Sequence, residues 1–141
     1  MNAKDYFDLA RKLAQMRTEA GIRSAISRGY YAAFHFTKSL LEELGFQLPK
    51  DASAHDKIYH LLNNAGIQSA KDAAKFLFDL RRRRNLADYD FVQTNMQTYQ
   101  DCQFDLLQVA GVITFCENNS TEPLRSTLKQ GLSDYVQKVG I

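Results

Sequence analysis

The chain has 141 residues, a formal net charge of +2 and an apolar content of 45%, which suits one domain around one core. So small a charge excludes a surface that attracts nucleic acid as a whole. Any polyanion site must come from local clustering, and the cluster present is Arg81-Arg82-Arg83-Arg84. The start, Met1-Asn2-Ala3-Lys4-Asp5, lacks the apolar block of a secretory signal, and no apolar run approaches the ~20 residues of a membrane span. A soluble cytoplasmic protein without membrane contact is the expectation.

The pattern is helical throughout, without repeats, low-complexity tracts or strand alternation. Tyr6, Leu9, Ala10, Leu13 and Met16 mark a first helix of about four turns. Gly21 lies near its end or opens the next. A second helix runs from Ile22 to Leu44, with Ile22, Ala25, Ile26, Gly29, Ala33, Thr37, Leu40, Leu41 and Leu44 as its buried stripe and Gly45 as its stop. Pro49 and its polar neighbours make Phe46 to Ala54 a loop. A third helix, His55 to Asn64, is capped by Ser53 and turns Ile58, Leu61 and Leu62 inward. Ser69 caps a fourth, which carries Ala73, Phe76, Leu77, Leu80 and the arginines and ends near Tyr89, with a break between Asp88 and Thr94.

The fifth helix, Asn95 to Cys116, turns Tyr99, Phe104, Leu106, Leu107, Ala110, Ile113 and Thr114 toward the core. Glu117-Asn118-Asn119-Ser120 breaks it. Thr121-Glu122-Pro123 then opens a last helix, Glu122 to Val139, with proline in its first turn. Its thin apolar set, Leu124, Leu128, Leu132 and Val136, places it outside the bundle or on a second subunit. The fold expected is an all-α up-and-down bundle of four to five main helices with its core at about residues 3–118, plus an accessory helix at about 121–139. Cys102 and Cys116 would stand roughly 21 Å apart on one helix, too far to pair. With no histidine near either in sequence, they read as free packing thiols of a reducing compartment.

The chemistry centres on the arginine run. Four consecutive residues point to nearly every side of a helix, because each step turns it by about 100°. Ala73, Leu77, Leu80, Arg84, Ala87 and Phe91 follow one face, so Arg84 interrupts the apolar stripe. A guanidinium cannot shed its charge, so an inward Arg84 needs a partner or an interface, and Asp88 lies one turn on. Arg81, Arg84, Asn85 and Asp88 share a face. They form either a fixed fork for phosphate with Asn85 as an additional donor, or an intrahelical salt bridge with an interface hydrogen bond. Arg82 and Arg83 are expected in solvent, where such a run binds RNA weakly and with strong salt dependence.

On the second helix Ser24, Arg28, Tyr31, His35 and Lys38 form a polar line. This is either an anion site with His35 available for proton transfer, or a solvated face of snorkelling side chains. Tyr30 and Phe34 beside it are core residues, and Glu42-Glu43 are surface charges. His55 and His60 fall on different helix faces, whereas a zinc pair wants i, i+4. With no His-Glu-x-x-His, Cys-x-x-Cys, Gly-rich phosphate loop or Gly-x-Ser-x-Gly, metal catalysis, P-loop chemistry and a serine hydrolase are disfavoured, and no cofactor is expected.

Two segments together, Arg23-Ser24-Ala25-Ile26-Ser27-Arg28-Gly29-Tyr30-Tyr31-Ala32-Ala33-Phe34-His35 and Leu80 through Phe91 with its ending Arg84-Asn85-Leu86-Ala87-Asp88-Tyr89, resemble the HEPN family (higher eukaryotes and prokaryotes nucleotide-binding domain) over roughly residues 3 to 118. The resemblance implies a bundle of four to five helices, commonly a two-fold dimer. Many members are metal-independent ribonucleases, often toxins, and others sit beside a nucleotidyltransferase partner. Catalytic members carry an arginine, four to six residues, then a histidine. Counted from Arg81 to Arg84, the eligible positions Leu86 to Phe91 hold none. Tyr89 stands at the histidine position and Phe91 at that of the motif tyrosine. A phenol, with a pKa of about 10, is a poor base at pH 7.

The resemblance therefore implies the arginine half of the site without its proton-transfer half. The leading expectation is a dimeric nucleotide-, RNA- or partner-binding protein of a toxin–antitoxin or nucleotidyltransferase-associated system, lacking ribonuclease activity. Arg28, Tyr31, His35, Arg81, Arg84, Asn85, Asp88 and Tyr89 would line a polar cleft near the dimer axis. Tyr89 is also a target for nucleotidylation by such a partner. The alternatives are a metal-independent ribonuclease toxin with His35 as base, and a structural or adaptor module whose polar clusters only tune packing.

Overall fold

The computed structural model describes residues 2–90 and 98–141, which form six helices. The first, α1 (Ala3–Gln15), starts ahead of its apolar spacing because Asn2 caps it. Asn2 Oδ1 accepts the Asp5 amide at 3.0 Å, and Asp5 Oδ2 accepts the Asn2 amide at 3.0 Å. Thr18 caps α2 (Glu19–Glu43) by accepting the Gly21 amide at 3.1 Å, so Gly21 opens the second helix. Gly45 takes a φ of 96° just past its end, a conformation that suits glycine, and stops it. Buried along most of its length, α2 is the central element and packs on α1, α4 (Gln68–Tyr89) and α5 (Tyr99–Asn118).

Two caps differ from expectation. Asp51 rather than Ser53 serves α3 (Ser53–Asn63): its carboxylate accepts the Ser53 amide at 2.9 Å, which makes Ser53 the first helical residue. No side chain caps α4, whose entry is fixed by Ile67 packing on the core, and Ser69 lies inside its first turn. The helix continues through Asp88 to Tyr89, so the break begins no earlier than Asp90. The remainder of that expected break, Phe91 to Thr94, and Asn95 at the head of the expected fifth helix lie outside the described residues.

The core face of α5 is the main correction. Cys102, Asp105, Leu106, Val109, Val112, Phe115 and Cys116 are buried, whereas Phe104 and Leu107 are 62% and 70% exposed and Thr114 faces solvent. Apolar residues occur all round this helix, so hydrophobicity alone does not select its register. An ion pair contributes to that choice: Arg83, expected in solvent, donates from Nε at 2.9 Å and Nη2 at 2.8 Å to Asp105 Oδ2. Burial pushes the Asp105 carboxyl above its ordinary value, and the Arg83 contacts pull it back.

The last helix, α6 (Leu124–Val139), follows Pro123 directly, so the proline precedes the first turn, and Leu124 is exposed. Leu128 and Leu132 are fully buried, and α6 packs on α3. A Cβ on Gly131 would stand 2.1 Å from the Ala65 carbonyl oxygen, so the two backbones meet there without room for a side chain. Gly131→Ala should therefore cost about 1–3 kcal/mol of stability in urea unfolding. An unchanged midpoint would show that α6 is not seated as described.

Candidate functional site

The α2–α4 seam gathers the polar residues. Arg84 is 9% exposed. Its guanidinium carbon lies 5.5 Å from the Tyr30 ring centre and 5.3 Å from that of Tyr31, within cation–π range. Asp88, expected to hold it, forms a long ion pair with it, 3.9 Å from Nη1 to Oδ2, beyond hydrogen-bond distance. The same carboxylate oxygen accepts the Ser27 hydroxyl at 3.1 Å. Arg84 Nε is buried and has no partner among the described residues. One turn earlier, Arg81 donates to Asp56 on α3 at 3.0 Å, while its own Nε is also buried and unpaired.

Tyr31 and His35 are half-buried and join this group through their rings, whose centres are 6.3 Å apart; Tyr6 of α1 stacks on His35 at 5.5 Å. Burial, and then Lys38, hold the His35 imidazole below its ordinary pKa. Arg28, Asn85 and Tyr89 are exposed. The fork expected of Arg84 with Asn85 is thus split, with the guanidinium inside and the amide outside.

Three participants carry no spacing signal in the sequence. Arg23 Nη1 donates to the carbonyls of Leu86 at 3.2 Å, Ala87 at 3.0 Å and Asp90 at 2.9 Å. It thereby satisfies the last turn of α4 and sets a positive charge at the negative end of that helix. Asp56 orients Arg81. His55, delivered by α3, stacks on Phe34 at 4.2 Å and hydrogen-bonds through Nδ1 with the Tyr30 hydroxyl. Burial, then the Arg81 and Arg84 charges, push His55 down to about 4. Burial pushes the Tyr30 phenol well above its ordinary value.

A cavity of about 280 Å³ opens between α2, α3 and α4 beside these groups, with Tyr30, Phe34, Tyr59 and Phe78 among its walls and Arg81, Arg82 and Asn85 on its border. Elsewhere, burial drives the Cys102 and Cys116 thiols up to about 11 and about 12, which leaves them inert packing groups. Among the described residues no three His, Cys, Asp or Glu side chains converge as metal ligands would. No helix there is long and apolar enough to cross a membrane.

The unfolded chain protonates His55 near 6.5, the folded chain only at about 4. Between these values the unfolded state binds more protons, so stability falls as pH drops through that window. An NMR titration of the His55 ring should give a midpoint near 4, and His55→Gln should flatten the stability slope. A midpoint near 6.5 would contradict this half-buried placement beside the arginines.

Comparison with known proteins agrees with this architecture. The HEPN domain model matches residues 1–119, which contain α1 through α5 and the whole arginine segment and leave α6 outside. No curated protein and no solved structure matches the chain. HEPN domains commonly dimerise, and membership suggests a nucleotide- or RNA-related or toxin-like role. The match covers most of the chain and coincides with the helical bundle, so the chain belongs to the HEPN domain family.

Proposed function

We propose that this chain binds a phosphate-bearing nucleotide or RNA segment through Arg84 and Arg81, acting as a homodimer and without cleaving the ligand. One observation carries the reading: Arg84 is buried with Nε unpaired and its nearest carboxylate oxygen 3.9 Å off. A guanidinium cannot be neutralised by a pKa shift, and a buried donor left unpaired costs about 1–3 kcal/mol. A phosphate oxygen at Nε offsets that cost and gains a charge-assisted bond. The Tyr30 and Tyr31 rings lie within cation–π range of the guanidinium, and Arg81 has a second buried, unpaired Nε one turn away.

A nucleotidyltransferase-type partner or a toxin–antitoxin setting fits the same reading. Tyr89, exposed at the end of α4, is accessible to nucleotidylation by such a partner. The ribonuclease alternative, with His35 as base, has one observation in its favour: burial and Lys38 hold that imidazole toward its proton-accepting form. The binding reading expects intact RNA after incubation with the protein in EDTA. Cleavage that disappears in His35→Ala would replace it with the ribonuclease reading.

Binding is tested by fluorescence anisotropy with labelled single-stranded RNA and with ATP. Arg84→Met removes the charge while filling its volume. It should weaken both ligands by roughly ten- to a hundredfold with helical content unchanged, and wild-type affinity should fall with salt. Equal binding by wild type and folded variant contradicts the phosphate role.

A further inference from the structure

The cavity between α2, α3 and α4 combines an aromatic wall with guanidinium and amide groups. Phe78, on α4, is 57% exposed, and Tyr59 on α3 lies 5.6 Å from it, tilted by 47°. A lone exposed phenylalanine is ordinary, but this ring borders a cavity that also presents Arg82, the Asn85 amide and Arg81 paired with the Asp56 carboxylate. An aromatic face beside guanidiniums suits a nucleobase carrying its phosphate, because every base has a π-face and every phosphate accepts a cationic donor.

His55 also lines the cavity, its ring held by the Nδ1 hydrogen bond with the Tyr30 hydroxyl and by stacking on Phe34.

We propose that this cavity takes one unpaired nucleobase, stacked on Phe78 and Tyr59, from the nucleotide unit whose phosphate lies on Arg81 and Arg84; the proposal rests on the phosphate-binding reading above. A volume of about 280 Å³ lies just below the range of small-ligand pockets, roughly 300–1,000 Å³, and suits a single planar ring system rather than a larger ligand. A duplex, whose bases are paired and stacked, does not present such a ring. A free nucleotide and a single-stranded RNA both carry the unit, and the experiment separates them.

The test titrates wild type, Phe78→Ala and Phe78→Tyr with a short labelled single-stranded RNA, the same strand with abasic sites, its duplex, and AMP as competitor. Phe78 is exposed, so both variants should keep the fold, which circular dichroism verifies. The abasic strand and the duplex should bind wild type about tenfold or more weakly than the intact strand. Phe78→Ala should erase most of the abasic difference, and Phe78→Tyr should retain it. Displacement by AMP identifies the free nucleotide as sufficient; retention of the RNA identifies the strand. Equal binding of intact and abasic strands, with Arg84→Met still weakening both, overturns the base pocket and leaves the phosphate reading standing. Failure of every phosphate-bearing probe to bind overturns both.

Discussion

Helical rotation of about 100° per residue forces four consecutive arginines to four sides of one helix, and the surroundings of α4 answer each in turn. Arg81 turns to α3 and meets Asp56. Arg82 goes to solvent. Arg83 turns to α5 and grips Asp105 through two bonds to one oxygen. Arg84 turns to α2 and lies among the Tyr30 and Tyr31 rings. The run is thus not one basic patch but several separate attachments. Arg81 and Arg84 each keep a buried Nε without a hydrogen-bond partner, and of the two only Arg81 has another hydrogen bond among the described residues.

That distribution explains why the arginine segment is both scaffold and site. Arg83–Asp105 and Arg23, which satisfies three carbonyls at the end of α4, fix the helix on two sides. With the backbone held, Arg84 stays on the side of α4 that faces α2, where it is 9% exposed. Its charge stays in a low-dielectric setting, where any anion that reaches it is held more strongly than at a surface. The tyrosines contribute in two ways. Their faces cradle the guanidinium, and Tyr30 also hydrogen-bonds His55 at the neighbouring cavity. Stability and recognition draw on the same few side chains, so disabling the site without disturbing the seam requires substitutions that conserve volume.

Much of this was legible in the sequence because it depends on periodicity. The helices and the inward course of Arg84 follow from 3.6-residue spacing, and the Gly45 stop from the freedom of glycine to take a positive φ. What failed depends on contacts between distant segments or on competing local signals. Arg83 reads as surface until Asp105 is brought opposite it. The apolar residues of α5 surround the helix, so Phe104 and Leu107 were as plausible inside as Val109 and Val112. Ser53 and Ser69 look like caps, but Asp51 and the packing of Ile67 set those ends. His55 lies on a different helix from the arginines, so a search for a histidine downstream of them could not find it. Arg23 sits within the string that carries the family resemblance, yet nothing in that string says that it closes the end of α4.

The central claim is that Arg84 Nε is a buried donor awaiting an acceptor from outside the chain. The most direct measurement follows the Arg84 Nε–H resonance by nitrogen-15 NMR while ATP or a short single-stranded RNA is titrated to saturation. The account predicts that this resonance shifts and that its hydrogen exchange slows as a phosphate oxygen pairs with it. A bound ligand that leaves the Arg84 Nε–H signal unmoved would contradict the claim.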